Sequence, residues 1–172
     1  MMQPRQAFVA MGSNLGDRQS TLMSALRRLS GSTGIHDVQS SPIYETVPVG
    51  ELLQPMFLNS VIALRTTLSP ENLLEVLLET EREFVRVRMT RWGPRTLDLD
   101  LLIYEEECRN TPSLSLPHPR IFERAFVFVP FRDLLRKPGF QAAVWDDLRQ
   151  KLESQVATGG IQLYTSPNDE KC

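Results

Sequence analysis

Two aspartates near the middle of the chain, Asp98 and Asp100, have the spacing of a pair of metal ligands. They alternate with apolar residues over residues 97–104, and a period of two is typical of a β-strand. The opposite face of this predicted strand carries Leu97, Leu99, Leu101 and Ile103. Carboxylates two residues apart on a strand have Cα atoms about 6–7 Å apart, so their side chains can converge on one or two hard cations. Side by side and unpaired they would repel each other.

The residues before this strand are rich in arginine. The four arginines are Arg86, Arg88, Arg91 and Arg95, and Trp92 lies among them. Mg²⁺ favours one or two carboxylates together with phosphate oxygens of a substrate, and the planar guanidinium group suits the same oxygens. The combination therefore indicates a site for a metal–nucleotide complex. Two plainer interpretations stay open, a solvated sheet face and salt bridges from the aspartates to the arginines.

A second polar and aromatic pair lies on a strand predicted for residues 56–66. Phe57 and Asn59 share one face of this strand because they are two residues apart. A flat heteroaromatic ring needs a stacking partner, and its amide-like edge needs a group that both donates and accepts. An asparagine on a strand more commonly bonds to neighbouring backbone, so both interpretations stay open here.

The N-terminal elements that position these residues can be predicted from their patterns. Residues 7–11 form a short apolar strand that ends in a turn at residues 12–17, and Asp17 is a good helix N-cap. The turn lacks the lysine of a phosphate-binding loop. An amphipathic helix then begins at Arg18, with apolar positions at Leu22, Ala25, Leu26 and Leu29. Residues 35–46 predict a strand that is interrupted near residue 42.

The later elements follow the same logic. Ser69 as N-cap and Pro70 at the first helical position begin a helix whose core stripe is Leu73, Leu74, Leu77, Leu78 and Phe84. A short helix is predicted to begin within residues 120–126. One further amphipathic helix carries the apolar residues Val144, Leu148 and Leu152, and residues 161–165 predict a last short strand.

Composition sets broad limits on the class of protein. The chain has 172 residues, 41% of them hydrophobic and 23% charged, which predicts one domain. A net charge of −2 argues against a nucleic-acid partner. Two lone cysteines, Cys108 and Cys172, suggest a reducing compartment. With no apolar run near the ~20 residues of a membrane span and no signal-peptide pattern, we expect a cytoplasmic monomer that contacts no membrane.

The motifs together resemble those of a known family. The run from Arg91 to Asp100 resembles the signature of the 6-hydroxymethyl-7,8-dihydropterin pyrophosphokinases, which are folate-biosynthesis enzymes. The flanking motifs agree in type and order; they are Gly12-Ser13-Asn14-Leu15-Gly16, Thr46-Val47-Pro48-Val49-Gly50, Phe57-Leu58-Asn59, Pro117-His118-Pro119 and Glu123-Arg124-Ala125-Phe126. The resemblance runs from about Phe8 to about Phe131.

The resemblance implies a reaction and a set of site residues. The substrates would be ATP and 6-hydroxymethyl-7,8-dihydropterin, with two Mg²⁺ ions on Asp98 and Asp100. The implied catalytic residues are Arg86, Trp92, Arg95, Asp98 and Asp100. The implied pterin-binding residues are Gly12, Asn14, Thr46, Val47, Val49, Phe57, Asn59, Trp92, Asp98 and Phe126. The implied ATP-binding residues are Glu81, Arg86, Arg88, Trp92, Arg95, Leu101, Ser115, His118 and Arg124.

Some positions depart from the family pattern. Val85 stands where relatives often have glycine, and the segment of residues 89–91 is one residue shorter than in some relatives. Ser113 stands where some relatives carry a basic residue, and Phe57 replaces a tyrosine found in others. These departures bear on the path of the arginine-rich loop and on individual contacts.

The predicted order of elements indicates an α+β fold. We expect a ferredoxin-like core, mainly an antiparallel sheet with helices packed on it in three α/β/α layers. The core would span residues 6–136, and residues 140–172 would add a helix and a frayed tail. Three other functions remain open from the residues alone. They are a nucleotide-sensing module, an RNA-binding module and a kinase that transfers only the γ-phosphoryl group.

Overall fold

A computed structural model describes residues 3–49, 53–84 and 96–167 of the chain. The strands are β1 (Arg5–Ser13), β2 (Ile35–Ser40), β3 (Tyr44–Thr46), β4 (Phe57–Thr66), β5 (Asp98–Tyr104), β6 (Arg109–Asn110), β7 (Ser115–Leu116) and β8 (Ile161–Leu163). The helices are α1 (Arg18–Ser30), α2 (Pro70–Phe84), α3 (Ala125–Leu135) and α4 (Asp146–Glu153), with a 3₁₀ turn at Ala143–Trp145. None of the helices within these ranges is long and apolar enough to cross a membrane.

The main sheet has the strand order β5-β1-β4-β3-β8, and β2 also pairs with β4. Every pairing in it is antiparallel. The two central strands, β1 and β4, are followed in the chain by the helices α1 and α2, and each helix leads to an outer strand. This order is the ferredoxin-like arrangement, so the predicted fold class is confirmed.

The sheet separates two apolar cores. On one face, Val9 and Met11 of β1 pack against α1 and α2 through buried residues such as Leu22 and Leu77. On the other face, Phe8 of β1 joins a cluster formed largely by α3. Successive residues of β1 thus enter opposite cores, as the period of two requires. The three-layer α/β/α prediction is confirmed.

The predicted helix starts of α1 and α2 are confirmed by their capping bonds. The carboxylate of Asp17 accepts the backbone N–H of Ser20 at 3.0 Å. The hydroxyl of Ser69 accepts the backbone N–H of Asn72 at 3.2 Å. Each cap satisfies an otherwise unpaired N–H of the first helical turn.

One face assignment in β5 is wrong. Ile103 was predicted to share a face with Leu101, but the register passes from Val9 opposite Leu101 directly to Phe8 opposite Ile103. Leu102 is therefore the extra residue of a β-bulge, and a bulge reverses the alternation beyond it. Ile103 consequently packs in the α3-side core, and Tyr104 packs in the other core.

The C-terminal helices also differ from the prediction. The helix predicted to begin within residues 120–126 begins at Ala125, and the residues before it form turns. Val144 was predicted on the stripe of the next helix, yet it lies in the 3₁₀ turn before α4 and is 58% exposed. Leu148 and Leu152 do pack in the α3-side core. The predicted last strand forms as β8, three residues long.

Candidate active site

A row of residues crosses the sheet on its α3-side face. Gly12 of β1 lies opposite Asp98 on β5 and opposite Asn59 on β4, and Asn59 lies opposite Tyr44 on β3. Directly opposed residues of antiparallel strands project to the same face. With neighbouring strands about 4.8 Å apart, the Cα atoms of Asp98 and Asn59 are roughly 10 Å apart across Gly12. An acid and an amide predicted from separate motifs therefore share one surface.

The glycine in this row makes room for the amide. A Cβ atom on Gly12 would lie 2.8 Å from Oδ1 of Asn59, closer than real Cβ contacts. The other end of the amide is fixed, because Nδ2 of Asn59 donates to Oγ1 of Thr46 at 2.7 Å. Asn59 is 6% exposed and Thr46 is 4% exposed. The amide is thus held in one orientation, with β1 between it and the carboxylate strand β5.

Two phenylalanine rings predicted in the pterin pocket lie on the same side of the sheet as the amide. Phe57 is on the same face of β4 as Asn59, opposite Thr46 in the register, and is half-buried. Phe126 is in the first turn of α3, the helix that packs on β4, and is half-buried as well. The strand and the helix therefore each bring one partly accessible ring to this side of the sheet.

The end of the loop before β4, residues 54–56, is anchored by residues that follow β1. Nδ2 of Asn14 donates to the Gln54 side chain and to the Pro55 carbonyl, both at 3.2 Å. Arg18 donates to the carbonyl of Met56 at 2.7 Å. Sequence reasoning did not find Arg18 or Gln54, because only the tertiary fold brings them together. Asn14, predicted in the pterin pocket, holds this loop.

The two valines predicted in the pterin pocket follow β3 and have exposed side chains. Val47 is 47% exposed and Val49 is 84% exposed, so their side chains face largely outward. The backbone of Val47 is nevertheless held, because its N–H donates to the carbonyl of Gly160 at 2.9 Å.

The row ends at Tyr44, which sequence reasoning also missed. Its O–H donates to Asp133 of α3. Burial and this hydrogen bond raise the pKa of Tyr44 to about 12. Asp133 also accepts from Arg136 at 3.2 Å, and Arg136 in turn binds Glu153 of α4. Strand β3 is thereby tied to the helices beneath it.

Glu81 of α2 supports the carboxylate strand. Its side chain is 6% exposed and accepts the backbone N–H of Leu99, the residue between the two aspartates, at 2.7 Å. The packing of Leu99 places α2 on the opposite side of the sheet from Asp98 and Asp100. Glu81, predicted at the ATP site, thus fixes the backbone that carries both aspartates.

His118 and Arg124 lie at the side of β5 and at the start of α3. The N–H of His118 donates to the carbonyl of Leu102 at 2.7 Å, and Nδ1 accepts the N–H of Arg120 at 3.2 Å. Burial and the nearby charges of Arg124 and Arg120 lower the pKa of His118. The neutral ring therefore carries its proton on Nε2, which can donate to a phosphate. The guanidinium of Arg124 is 5.6 Å from the ring centre of Phe126.

Other predicted ATP contacts are less closely grouped. Leu101 is buried in the core beneath α1 and α2, so only its backbone could contact a nucleotide. Ser115 is exposed on β7. The remaining predictions lie outside the described residues; they are Arg86, Arg88, Trp92 and Arg95, together with Val85 and the short segment of residues 89–91.

The aspartate pair suits a cation that arrives with its own ligands. Asp98 and Asp100 are half-buried on one face of β5. Within residues 3–49, 53–84 and 96–167, no group of three or more histidine, cysteine, aspartate or glutamate side chains could hold a metal by itself. Mg²⁺ characteristically takes one or two carboxylates and completes its shell with water and substrate phosphate. The donor set therefore fits Mg²⁺ bound with a phosphate-containing ligand.

Fold and site together define a class, namely a ferredoxin-like α+β protein with an acidic pair, an amide and aromatic rings on one sheet face. The family model described as "7,8-dihydro-6-hydroxymethylpterin-pyrophosphokinase (HPPK)" matches residues 8–136. The chain belongs to this family. The predicted resemblance is confirmed, and the match extends slightly beyond the predicted end at Phe131.

Curated relatives agree with the family model. The chain is 42% identical over 131 residues to the 2-amino-4-hydroxy-6-hydroxymethyldihydropteridine pyrophosphokinase of Bacillus subtilis (strain 168), covering 76% of this chain and 78% of that protein. It is 43% identical over 129 residues to the Methylorubrum extorquens protein of the same name, covering 75% and 82%. The similarity thus spans most of this chain and most of each relative.

Solved structures give the same fold. A crystal structure of HPPK-DHPS in complex with substrates superposes with a TM-score of 0.61 over 89% of this chain and 43% of that longer chain. The sequence identity in this alignment is 14%. At that identity the likeness supports the fold alone.

Proposed function

We propose that this protein transfers the diphosphoryl group of ATP to the hydroxymethyl group of 6-hydroxymethyl-7,8-dihydropterin, a step of folate biosynthesis. The observation that carries the proposal is the row of Asp98, Gly12 and Asn59 on one sheet face. A ligand whose ring lies at Asn59 would direct its substituent toward the carboxylates roughly 10 Å away. Family membership supports the same assignment.

The pterin would bind at the amide end of the row. Its flat ring would stack between Phe57 and Phe126, and Asn59 would read its amide-like edge. Asn59 is pre-oriented by Thr46 and by the space above Gly12, so little order is lost on binding. Main-chain atoms of residues 46–49, with Asn14, would complete the pocket, and Trp92 would contact the ring.

The triphosphate would bind at the carboxylate end. Asp98 and Asp100 would hold two Mg²⁺ ions, which supply charge neutralisation and polarisation of the β-phosphoryl group when bound. Arg86 and Arg95 would neutralise phosphate charge as the transition state develops. The nucleotide would be held by Arg88, Ser115, His118, Arg124 and the backbone of Leu101, with Trp92 against it. Glu81 would act indirectly, through the β5 backbone that it holds.

The reaction balances without a protein base. The hydroxymethyl oxygen forms a bond to the β-phosphorus, and the bond from that phosphorus to the oxygen bridging to the α-phosphorus breaks. AMP leaves with the bridging oxygen, and the hydroxyl proton passes to solvent. The contribution of the chain is to hold both reactants in line, which by itself can lower the barrier by about 7–11 kcal/mol. A monomeric state and a cytoplasmic location stay predictions from the sequence.

The test is the identity of the nucleotide product. The protein is incubated with ATP, Mg²⁺ and 6-hydroxymethyl-7,8-dihydropterin, and the nucleotides are separated by chromatography. We expect AMP that forms only when the pterin is present and that disappears when EDTA removes the metal. ADP as the product would mean γ-phosphoryl transfer, and an unchanged ATP pool would overturn the proposed activity.

A further inference from the structure

The C-terminal strand β8 lies outside the family match, which ends at residue 136. It pairs with β3 so that Thr46 is opposite Ile161 and Tyr44 is opposite Leu163. The backbone pairing continues beyond both ends of β8. The N–H of Val47 donates to the carbonyl of Gly160 at 2.9 Å, and Tyr164 donates to Ile43 at 2.9 Å. The outer edge of β3 is therefore bonded along its whole length.

This pairing matters because β3 is very short. The strand is three residues long, and its other edge pairs with β4 through Thr46 opposite Phe57. A strand of this length with an open edge has few bonds to hold its end in place. Thr46 is the residue whose hydroxyl orients the amide of Asn59. Any shift at this end of β3 would therefore move a group that holds the amide.

The contact between Gly160 and Val47 depends on the missing side chain. Gly160 has φ +68°, and a Cβ atom built on it would lie 2.3 Å from Cγ2 of Val47. Such an approach is impossible, so the valine occupies the space that any other residue at 160 would fill. The neighbouring Gly159 has φ +93°, and nothing lies within 4 Å of a Cβ built on it. A Cβ at residue 160, but not one at residue 159, would therefore meet Val47, the residue that follows β3.

We propose that β8, through Gly160, is a positioning element for the amide end of the active site. It fixes Val47, and through Val47 the Thr46 hydroxyl that orients Asn59. This inference rests on the proposed function, since it assumes that the pterin binds at Asn59. Gly160 and Ile161 are positioning residues and touch no reacting atom. The role belongs to a segment beyond residue 136, where the match to the family model ends.

The test compares alanine at the two glycines. Gly160→Ala and Gly159→Ala both place alanine at positive φ, and Gly159 has the φ further from the left-handed minimum, so its backbone cost is at least as large. Only Gly160→Ala pushes Val47 away. We expect Gly160→Ala to raise the pterin KM and Kd about tenfold, the scale of one lost hydrogen bond, with the ATP KM unchanged. At saturating pterin, kcat should stay within about threefold of wild type, because the reacting groups are untouched.

A second pair of variants tests whether the clash with Val47 causes the weaker pterin binding. Val47→Ala deletes Cγ2, so adding Gly160→Ala to Val47→Ala should weaken pterin binding much less than adding it to wild type. If Gly160→Ala alone fails to fold, the double variant is compared with Val47→Ala, and we expect nearly equal pterin affinities for these two proteins. Equal pterin affinities for Gly160→Ala and Gly159→Ala would overturn the inference, as would an equal loss from Gly160→Ala in both backgrounds. Absence of AMP formation by the wild type would instead refute the proposed function, so the two failures are distinguishable.

Discussion

Replacing Gly12 with alanine tests how the amide is held in the pterin subsite. The new Cβ would lie 2.8 Å from Oδ1 of Asn59, so the amide must retreat to reach the 3.4 Å of an ordinary contact, a shift of about 0.6 Å. That shift opposes the 2.7 Å bond from Asn59 to Thr46, which is buried. A buried polar group that loses its partner costs about 1–3 kcal/mol. We therefore expect pterin Kd to rise by about 5- to 150-fold.

The matched control is Gly31→Ala at the end of α1. Gly31 has φ −90°, and a Cβ atom there would meet its nearest neighbour at 3.6 Å. This variant makes the same chemical change without a clash, and it lies away from the row.

The assay is calorimetric titration of 6-hydroxymethyl-7,8-dihydropterin into each variant with Mg²⁺ and a non-hydrolysable ATP analogue. Urea unfolding of the same samples reports whether the fold is retained. ATP affinity should be nearly unchanged in Gly12→Ala, because the carboxylate end of the row is not displaced. Equal pterin affinities for Gly12→Ala, Gly31→Ala and the wild type would refute the assigned role of the amide.

Three further predictions concern groups around this face. Glu81→Leu leaves the Leu99 N–H without its acceptor, so it should lower the free energy of unfolding by about 1–3 kcal/mol and reduce kcat more than Glu81→Gln does. Equal urea midpoints and equal rates for the two variants would contradict this. Because the pKa of Tyr44 is raised from 10.0 to about 12, its stabilising effect is complete below pH 10 and is lost as the pH rises to 12. Thermal melts of Tyr44→Phe, which lacks the bond to Asp133, should show a shallower decline there than wild type, and parallel declines would exclude the effect. Because the pKa of His118 is lowered from 6.5, its contribution to the folding stability is complete above pH 6.5 and is lost as the pH falls. An NMR titration that gave a pKa at or above 6.5 for His118 would contradict this prediction.

Local signals in the sequence were sufficient for many elements. The alternation of leucine with Asp98 and Asp100 predicts β5 and the two faces of its first half, and the side chains of Asp17 and Ser69 predict two helix starts. Each of these depends on residues within one turn or one strand. The chemistry of the acid pair could be predicted for the same reason, since its members are two residues apart.

Features that depend on register or on distant segments could not be predicted. The bulge at Leu102 lies in a run of apolar residues in which either face looks equally suitable, so only the pairing with β1 reveals it. The space that Gly12 leaves for Asn59 follows from the register of β1 on β4. The late start of α3 at Ala125 follows turns whose charged residues, such as Glu123, are also common in helices. The pairing of β8 with β3 joins segments more than a hundred residues apart and has no local signal.

The central claim is that Asp98, which lies opposite Gly12, and Asp100, two residues further along β5, serve diphosphoryl transfer to the pterin. The most direct measurement is the rate of pterin-dependent AMP release by Asp98→Asn, which keeps the size of the side chain and removes its charge. Asp37→Asn is the control, because Asp37 lies on β2 with φ 49°, a conformation that asparagine also adopts readily. We expect the rate for Asp98→Asn to fall by about a hundred- to a thousandfold, as for a group that stabilises the transition state electrostatically, while Asp37→Asn keeps the wild-type rate. Wild-type AMP release by a folded Asp98→Asn protein would contradict the account.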